Sequence, residues 1–162
     1  MLVLPWLAAC ALFDLRSRTV PAWLTLPPLF GAITWTLLQG NWGLALLTLT
    51  LIVLDDLPWR LRGFLGGFQG LMLIWIGTQS GLMGFFLGLS LLAIWLGWKL
   101  GAFGGADAQV LLTLVLLFPL GILYPIALFT GFQGVAQWLR KKPTLPAMLS
   151  ILAGTAFYLF RS

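Results

Sequence analysis

Apolar residues along this chain occur in long runs rather than in an alternating pattern. The stretch 82–98 contains no charged residue and lacks the two-residue alternation of a transmembrane β-strand. Polar and charged breaks divide the sequence into eight apolar segments, approximately 2–14, 22–39, 42–55, 63–78, 81–98, 107–119, 120–139 and 144–160. The pattern predicts an all-α fold, a polytopic membrane helix bundle of about eight spans (six to eight), with residues 1–162 forming a single integral membrane domain.

Two places in this division are less regular than the rest. The third and sixth segments are short for full spans, so they would tilt little or lie in a thinned bilayer. Pro119 either kinks one helix or separates two. Merging the segments on either side of Pro119 would move the basic cluster at 140–142 to the outer side, and the charge distribution argues against this.

The basic residues predict an orientation. If all eight segments cross the membrane with the N-terminus outside, eight of the nine Lys and Arg residues fall on the inner side. Such an asymmetry sets membrane topology. The sequence therefore predicts a multi-pass protein of the inner or plasma membrane. The inner basic residues are Arg16, Arg18, Arg60, Arg62, Lys99, Arg140, Lys141 and Lys142, and only Arg161 lies outside.

Composition excludes several classes of function. The chain is 60% hydrophobic and 8% charged, whereas soluble domains have about 25% charged residues. Its mean hydropathy of +1.03 rules out a soluble enzyme, and its pI near 10.2 reflects topology signals rather than nucleic-acid binding. Without His or Glu, and with one Cys, the chain can form neither a His/Cys zinc site nor a Ser-His-Asp triad.

The four aspartates are the strongest candidates for acid–base chemistry. All of them, Asp14, Asp55, Asp56 and Asp107, fall at predicted inner ends of segments, where a carboxylate at the membrane edge suggests function. Each has a structural alternative. Asp14 could pair with a neighbouring arginine, and Asp107 could serve as a helix start. Asp55 and Asp56, next to Arg60 and Arg62, fit a loop charge cluster better than a catalytic role, and attraction of a basic leader would be a supporting function for them.

Two short motifs contain Asp14 and Asp107. The sequence FDLRSRTVP at 13–21 ends the first predicted span, and GGAD at 104–107 opens the sixth. Together with LTLPPL at 24–29 and PTLPA at 143–147, they resemble elements of the type IV prepilin peptidase family. These membrane aspartic proteases of the Gly-x-Gly-Asp type remove leader peptides from prepilins. The resemblance depends on the order, orientation and membrane depth of the four motifs together more than on any single motif.

The resemblance covers residues 2–39 and roughly 82–160 and implies an aspartic-type endopeptidase of pilus biogenesis or protein secretion. Asp14 and Asp107 would activate the attacking water and protonate the substrate carbonyl. The implied partners are the lipid bilayer and a prepilin-like substrate, whose basic leader precedes an apolar helix and is cleaved at the cytoplasmic face. No metal, cofactor or nucleic acid is expected. Residues implied in loop positioning or substrate binding are Arg16, Pro21, Gly104, Gly105 and Gln109.

Three positions depart from the family's pattern: Ala22 replaces an Asn, Ala106 a Gly, and Gln109 a frequent Lys. Two alternative functions stay open. One is a small membrane carrier or channel whose aspartates bind cations, and the other is a non-catalytic relative that scaffolds an assembly. Carriers often place polar groups near the bilayer midplane, whereas every acid here is predicted at the inner edge, which favours the peptidase. Residues 42–78 add a helix pair with no assigned role.

Overall fold

The computed structural model describes residues 2–53, 59–101, 104–118, 120–140 and 147–161, and for 59–66 and 132–140 it describes the backbone only. These residues form seven α-helices and no strand, so the predicted all-α class is confirmed. The helices agree with the predicted segments within a few residues, and the fourth and fifth segments form two helical limbs on either side of Gly81. In chain order they are α1 (Val3–Ser17), α2 (Ala22–Leu38), α3 (Trp42–Val53), α4 (Trp59–Lys99), α5 (Gly105–Leu117), α6 (Leu123–Arg140) and α7 (Ala147–Arg161), with a 3-10 helix at Leu120–Ile122.

The 41-residue helix α4 reverses direction at Gly81. This residue has φ 66° and ψ −164°, a conformation that is open to glycine and strained for other residues. A Cβ added at Gly88 would lie 2.6 Å from Leu73 Cδ2, although a straight helix would separate the two residues by about 22 Å. The two limbs of α4, 59–80 and 82–99, therefore form an antiparallel hairpin, as the polar break between the fourth and fifth segments predicts.

Helix α5 lies at the centre of the bundle because its two faces belong to different hydrophobic clusters. One face contributes Ala108 and Leu112 to a cluster with α2, α3 and α4. The other face contributes Val110 and Leu114 to a cluster with α1, α6, α7 and the 3-10 helix. The first turn of α5, which carries Asp107, therefore lies centrally at one end of the bundle.

A proline in α2 makes possible the hydrogen bond that links α1 to α2. Pro28 has no N–H, so the carbonyl of Leu24, four residues earlier, lacks its usual donor within the helix. The indole N–H of Trp6 in α1 donates to this carbonyl at 2.8 Å. Such a substitute matters in a lipid environment, because lipid tails supply no donor of their own. Trp6 and Leu24 thus hold α1 beside α2.

The helix ends form two groups. Side chains from the α2–α3 turn, the Gly81 turn and the end of α5 line two adjoining clefts at one end, here called the opposite end. At the other end, the aspartate end, the last turns of α1 and α4 meet the starts of α5 and α7. If the eight predicted segments alternate in direction, the three uncharged turns lie on one side of the membrane and the aspartates lie on the other. The alternation therefore predicts this grouping of helix ends.

The exterior of the bundle is strongly apolar. Leu82, Leu71 and Trp23 are 77%, 67% and 66% exposed, and soluble monomers rarely expose large apolar patches. Among the described residues, one helical stretch, Gly67–Lys99, is long and apolar enough to cross a membrane, and Gly81 divides it into two limbs. Five shorter apolar helices accompany it. The exposed apolar side chains are those that a lipid-facing surface requires. By helix length and composition alone, one described stretch is able to cross a membrane.

The described basic side chains divide between the two ends. Arg16, Arg18 and Lys99 lie at the aspartate end, at the C-termini of α1 and α4, and Arg161 ends α7 at the opposite end. This is the division that the charge pattern predicts for these four residues. The remaining predicted features lie outside the described residues or side chains: Asp55, Asp56, Arg60, Arg62, Arg140, Lys141, Lys142, Pro143 and Pro146.

Gly154 allows α6 and α7 to pack with their backbones close together. A Cβ there would lie 2.6 Å from Ile126 Cα and 2.7 Å from its backbone nitrogen. Because backbone atoms cannot swing aside, we predict that Gly154→Ala lowers the free energy of unfolding by about 1–3 kcal/mol. Denaturant titration in detergent micelles would measure this. In the control Gly31→Ala the added methyl meets nothing within 4 Å, so the free energy of unfolding should stay level or rise slightly. An equal loss of stability in the two variants would contradict the close packing at Gly154.

Candidate functional site

Asp14 lies in the last turn of α1 and faces the beginning of α7. Its Oδ2 accepts a hydrogen bond from the backbone N–H of Met148 at 3.4 Å. This N–H belongs to the first turn of α7, where backbone donors have no partner within the helix. Arg16 and Arg18 are both exposed, and in the described structure neither forms an ion pair with Asp14. The Asp14 carboxylate therefore bonds to a helix distant in the sequence rather than to the arginines that follow it.

Asp107 is the third residue of α5. Its Oδ2 accepts a hydrogen bond from the backbone N–H of Gly104 at 3.2 Å, which is the helix-start contact that the sequence allows. Gly104 is extended, with φ −73° and ψ 161°, and is exposed. A Cβ at Gly104 would lie 3.4 Å from Asp107 Oδ2. Glycine therefore keeps this side of the half-buried carboxylate uncovered.

The structure brings Asp14 and Asp107 into one site although 92 residues of the sequence lie between them. They lie near enough for the charge of Asp14 to act on Asp107, as the smallest of three influences after burial and the Gly104 N–H. Ala106 packs in the same cluster as Cys10 and Ala11, so the start of α5 lies near the last turns of α1. Among the described residues, no group of three or more Asp, Glu, His or Cys side chains could hold a metal ion.

Gln109 joins α5 to α2 through a partly buried hydrogen bond. The hydroxyl of Thr25, which is fully buried, donates to Gln109 Oε1 at 2.5 Å. Gln109 lies half a turn beyond Asp107 along α5. Its amide oxygen accepts a hydrogen bond that a lysine ammonium group, which carries donors only, could not accept. Gln109 therefore acts here as the acceptor that fixes α2 against the first turns of α5.

The remaining predicted site residues shape the surrounding backbone. Pro21 is extended before α2, and its carbonyl accepts the Leu24 N–H at 2.9 Å. Gly105 lies against Trp98, since a Cβ there would be 3.2 Å from the indole Nε1. Arg16 is exposed in the last turn of α1. Within the described structure, Arg16 and Pro21 border the connection between α1 and α2 rather than the carboxylates themselves.

Three contributors to the site are missing from the residues predicted on sequence grounds. The backbone N–H of Met148 has no sequence signature, because any residue at the start of a helix supplies one. Trp98 lies beside Gly105, with the Lys99 ammonium 4.7 Å from its ring centroid, and no motif predicts this contact. Thr25 had a usable signal, since it is one of few polar residues within the second apolar segment.

No family model, curated protein or solved structure matches this chain. The candidate site therefore rests on the geometry around Asp14 and Asp107 and on the motifs that contain them.

The Thr25–Gln109 pair can be tested by removing its donor. We predict that Thr25→Val lowers the free energy of unfolding by about 1 kcal/mol, because a side chain of similar shape leaves Gln109 Oε1 buried without its donor. Thr25→Ser should retain most of this stability. The matched control is Thr36→Val, since Thr36 is also buried in α2 but bonds only the Ala32 carbonyl of its own helix. A loss in the control as large as that in Thr25→Val would contradict the role of the pair.

Proposed function

We propose that this chain is a multi-pass membrane aspartic endopeptidase that removes the basic leader from prepilin-like proteins at the cytoplasmic face. The observation that carries the proposal is the placement of Asp14 and Asp107 at the same end of the bundle, near enough for the charge of one to act on the other. The motifs at 13–21 and 104–107 supply the reaction class by resemblance. Since the chain has no Glu and no His, aspartates are its only acidic side chains for this chemistry.

The proposed reaction starts with one aspartate ionised and the other protonated, because neighbouring carboxylates resist carrying two charges. The ionised aspartate removes a proton from water, whose oxygen attacks the scissile carbonyl carbon, while the protonated aspartate donates its proton to the carbonyl oxygen. The tetrahedral intermediate then loses a hydroxyl proton to the pair and breaks its C–N bond as the leaving nitrogen is protonated. One water is consumed, and the pair regains its single shared proton.

The backbone donors at the site suit this role. Asp14 and Asp107 each accept one hydrogen bond from a backbone N–H, of Met148 and Gly104 respectively. Such contacts orient a carboxylate without supplying a counter-charge that would hold it permanently ionised. Gly104 leaves one side of Asp107 uncovered, and a substrate backbone needs that side to approach. These features favour an acid–base pair over a purely structural helix cap.

The proposed substrate follows from the membrane placement. A protein with a basic leader and an apolar helix can lie in the bilayer beside this bundle, with the junction of leader and helix at the inner surface. The predicted depth of Asp14 and Asp107 matches that junction. The exposed apolar side chains of the bundle and the basic residues at the aspartate end support the same placement.

Exchange of each aspartate for its amide tests the proposed chemistry. In cells that co-express a prepilin-like substrate, Asp14→Asn and Asp107→Asn should each slow leader removal at least about a hundredfold, because an amide cannot exchange the proton. Asparagine keeps an oxygen that can accept the Met148 or Gly104 N–H, so the fold should persist, and thermal unfolding in micelles would verify this. Mobility on a denaturing gel reports the cleavage.

The matched control is Asp56→Asn, the same chemical change at a position that is predicted to be non-catalytic. It should cleave at close to the wild-type rate. Undiminished cleavage by either Asp14→Asn or Asp107→Asn would refute the two-aspartate mechanism.

The proposed orientation has its own test. The single cysteine, Cys10, is buried, so Cys10→Ala provides a background without thiols. In that background, Ser17→Cys at the aspartate end and Ser80→Cys at the opposite end place exposed thiols on the two sides. We expect a membrane-impermeant maleimide to label Ser80→Cys in intact cells and Ser17→Cys only after permeabilisation. The reverse pattern would overturn the orientation.

A further inference from the structure

Trp98, the penultimate residue of α4, lies directly against the start of α5. A Cβ added at Gly105, the first residue of α5, would lie 3.2 Å from the indole Nε1, 3.4 Å from Cε2 and 3.5 Å from Cζ2. Non-bonded heavy atoms are best separated by about 3.5–4.0 Å, so the ring would crowd the added atom from one side. The bare backbone of Gly105 therefore packs on the Trp98 indole, and the ring limits how near α5 comes to α4.

Two contacts restrain the Trp98 ring. It is partly buried and packs against the hydrophobic cluster that α2, α3, α4 and α5 share. The Lys99 ammonium lies 4.7 Å from the ring centroid, a cation–π arrangement that favours this placement of the indole. A large aromatic side chain held by both contacts cannot turn aside without losing packing. A side chain added at residue 105 would therefore displace the backbone of α5 rather than the ring.

A displacement at Gly105 reaches Asp107 because both residues belong to the first turn of α5. The backbone N–H of Ala108 donates to the Gly104 carbonyl at 3.1 Å and closes this turn, and Asp107 Oδ2 accepts the Gly104 N–H at 3.2 Å. Two residues of helix span only about 3 Å. The carboxylate therefore moves with the backbone that packs on Trp98. An error of about 1 Å in the placement of a reacting group can lower a rate about a hundredfold.

We propose that Trp98 is a positioning residue for Asp107: its indole, acting through Gly105, fixes the first turn of α5 relative to Asp14. The part that Trp98 plays in catalysis rests on the proposed peptidase function, whereas its effect on the separation of the two carboxylates does not. Gly105 and Trp98 form one steric unit. A methyl group added at residue 105 is therefore tolerated once the side chain at residue 98 is made smaller.

A compensating pair of substitutions tests this steric unit. With the purified full chain and a prepilin-like substrate, Gly105→Ala should lower kcat about tenfold or more and change KM by less than about twofold, because Asp107 is displaced while substrate contacts persist. Trp98→Leu removes all three ring atoms that approach residue 105 and should lower kcat about three- to tenfold. In the double variant kcat should equal or exceed that of Trp98→Leu. A loss equal to the product of the two single losses would overturn the proposal.

The matched control is a glycine–indole contact at the opposite end of the bundle. A Cβ at Gly43 would lie 3.0 Å from Trp75 Cζ3 and 2.6 Å from Ile76 Cγ1, so Gly43→Ala crowds two helices away from the aspartates. Thermal unfolding in micelles should show a loss of stability at least as large as that in Gly105→Ala, while kcat of the folded fraction stays within about twofold of wild type. An equal drop in kcat in both variants would assign the effect to general destabilisation and contradict the positioning role.

A cross-linking measurement makes the test independent of cleavage. In the Cys10→Ala background, Asp14→Cys and Asp107→Cys place one thiol at each carboxylate position, and a short bis-maleimide joins them within the chain. Mass spectrometry of the intact chain should show a yield that falls when Gly105→Ala is added and recovers when Trp98→Leu is added as well. An unchanged yield in Gly105→Ala would overturn the positioning role even if the chain cleaves its substrate. Absence of cleavage by the wild type, with this pattern of yields intact, would refute the peptidase function alone.

Discussion

Each helical limb of this bundle runs opposite to the one before it, and this alternation determines which residues can meet. The end of the first limb and the start of the sixth lie at the same end only because four complete limbs separate them. Gly81 supplies one of the necessary reversals. If α4 continued as a straight helix, its 41 residues would extend about 60 Å beyond the aspartate end, and Asp107 would lie about two bilayer thicknesses from Asp14. The glycine conformation at one end of the bundle is therefore a condition for the site at the other.

Polar links between helices are concentrated around the aspartates. The described residues show three inter-helix hydrogen bonds from side chains: Trp6 to Leu24, Thr25 to Gln109, and Asp14 with Met148. They join α1 to α2, α2 to α5, and α1 to α7, which are the helices that frame the two carboxylates. Elsewhere small residues allow close packing, as Gly43 does beneath Trp75 and Ile76. Directional bonds thus fix the geometry where chemistry is proposed, and close apolar packing holds the rest.

The sequence pattern predicts the depth of a residue in the membrane far better than it predicts which helices are neighbours. The lengths of the apolar runs and the positions of the charges predict the helix ends. The shared depth of Asp14 and Asp107 follows because Asp14 ends the first segment, Asp107 begins the sixth, and the segments alternate in direction. Lateral contact does not follow, because the helices are apolar on most faces and a hydrophobic period cannot select one neighbour. The Thr25–Gln109 bond and the Met148 donor were missed for that reason. The break between the fourth and fifth segments was predicted, because polar residues interrupt the apolar run just before Gly81, whereas the Pro-rich entry to α7 lies outside the described residues.

The helix pair at 42–78, which the sequence leaves without a role, acquires a packing role from its contacts. Its apolar residues belong to the same hydrophobic cluster as Ala108 and Leu112 of α5. Helix α5 is packed on both sides and carries Asp107 in its first turn. The added pair therefore contributes to the packing that fixes the position of Asp107 within the bundle.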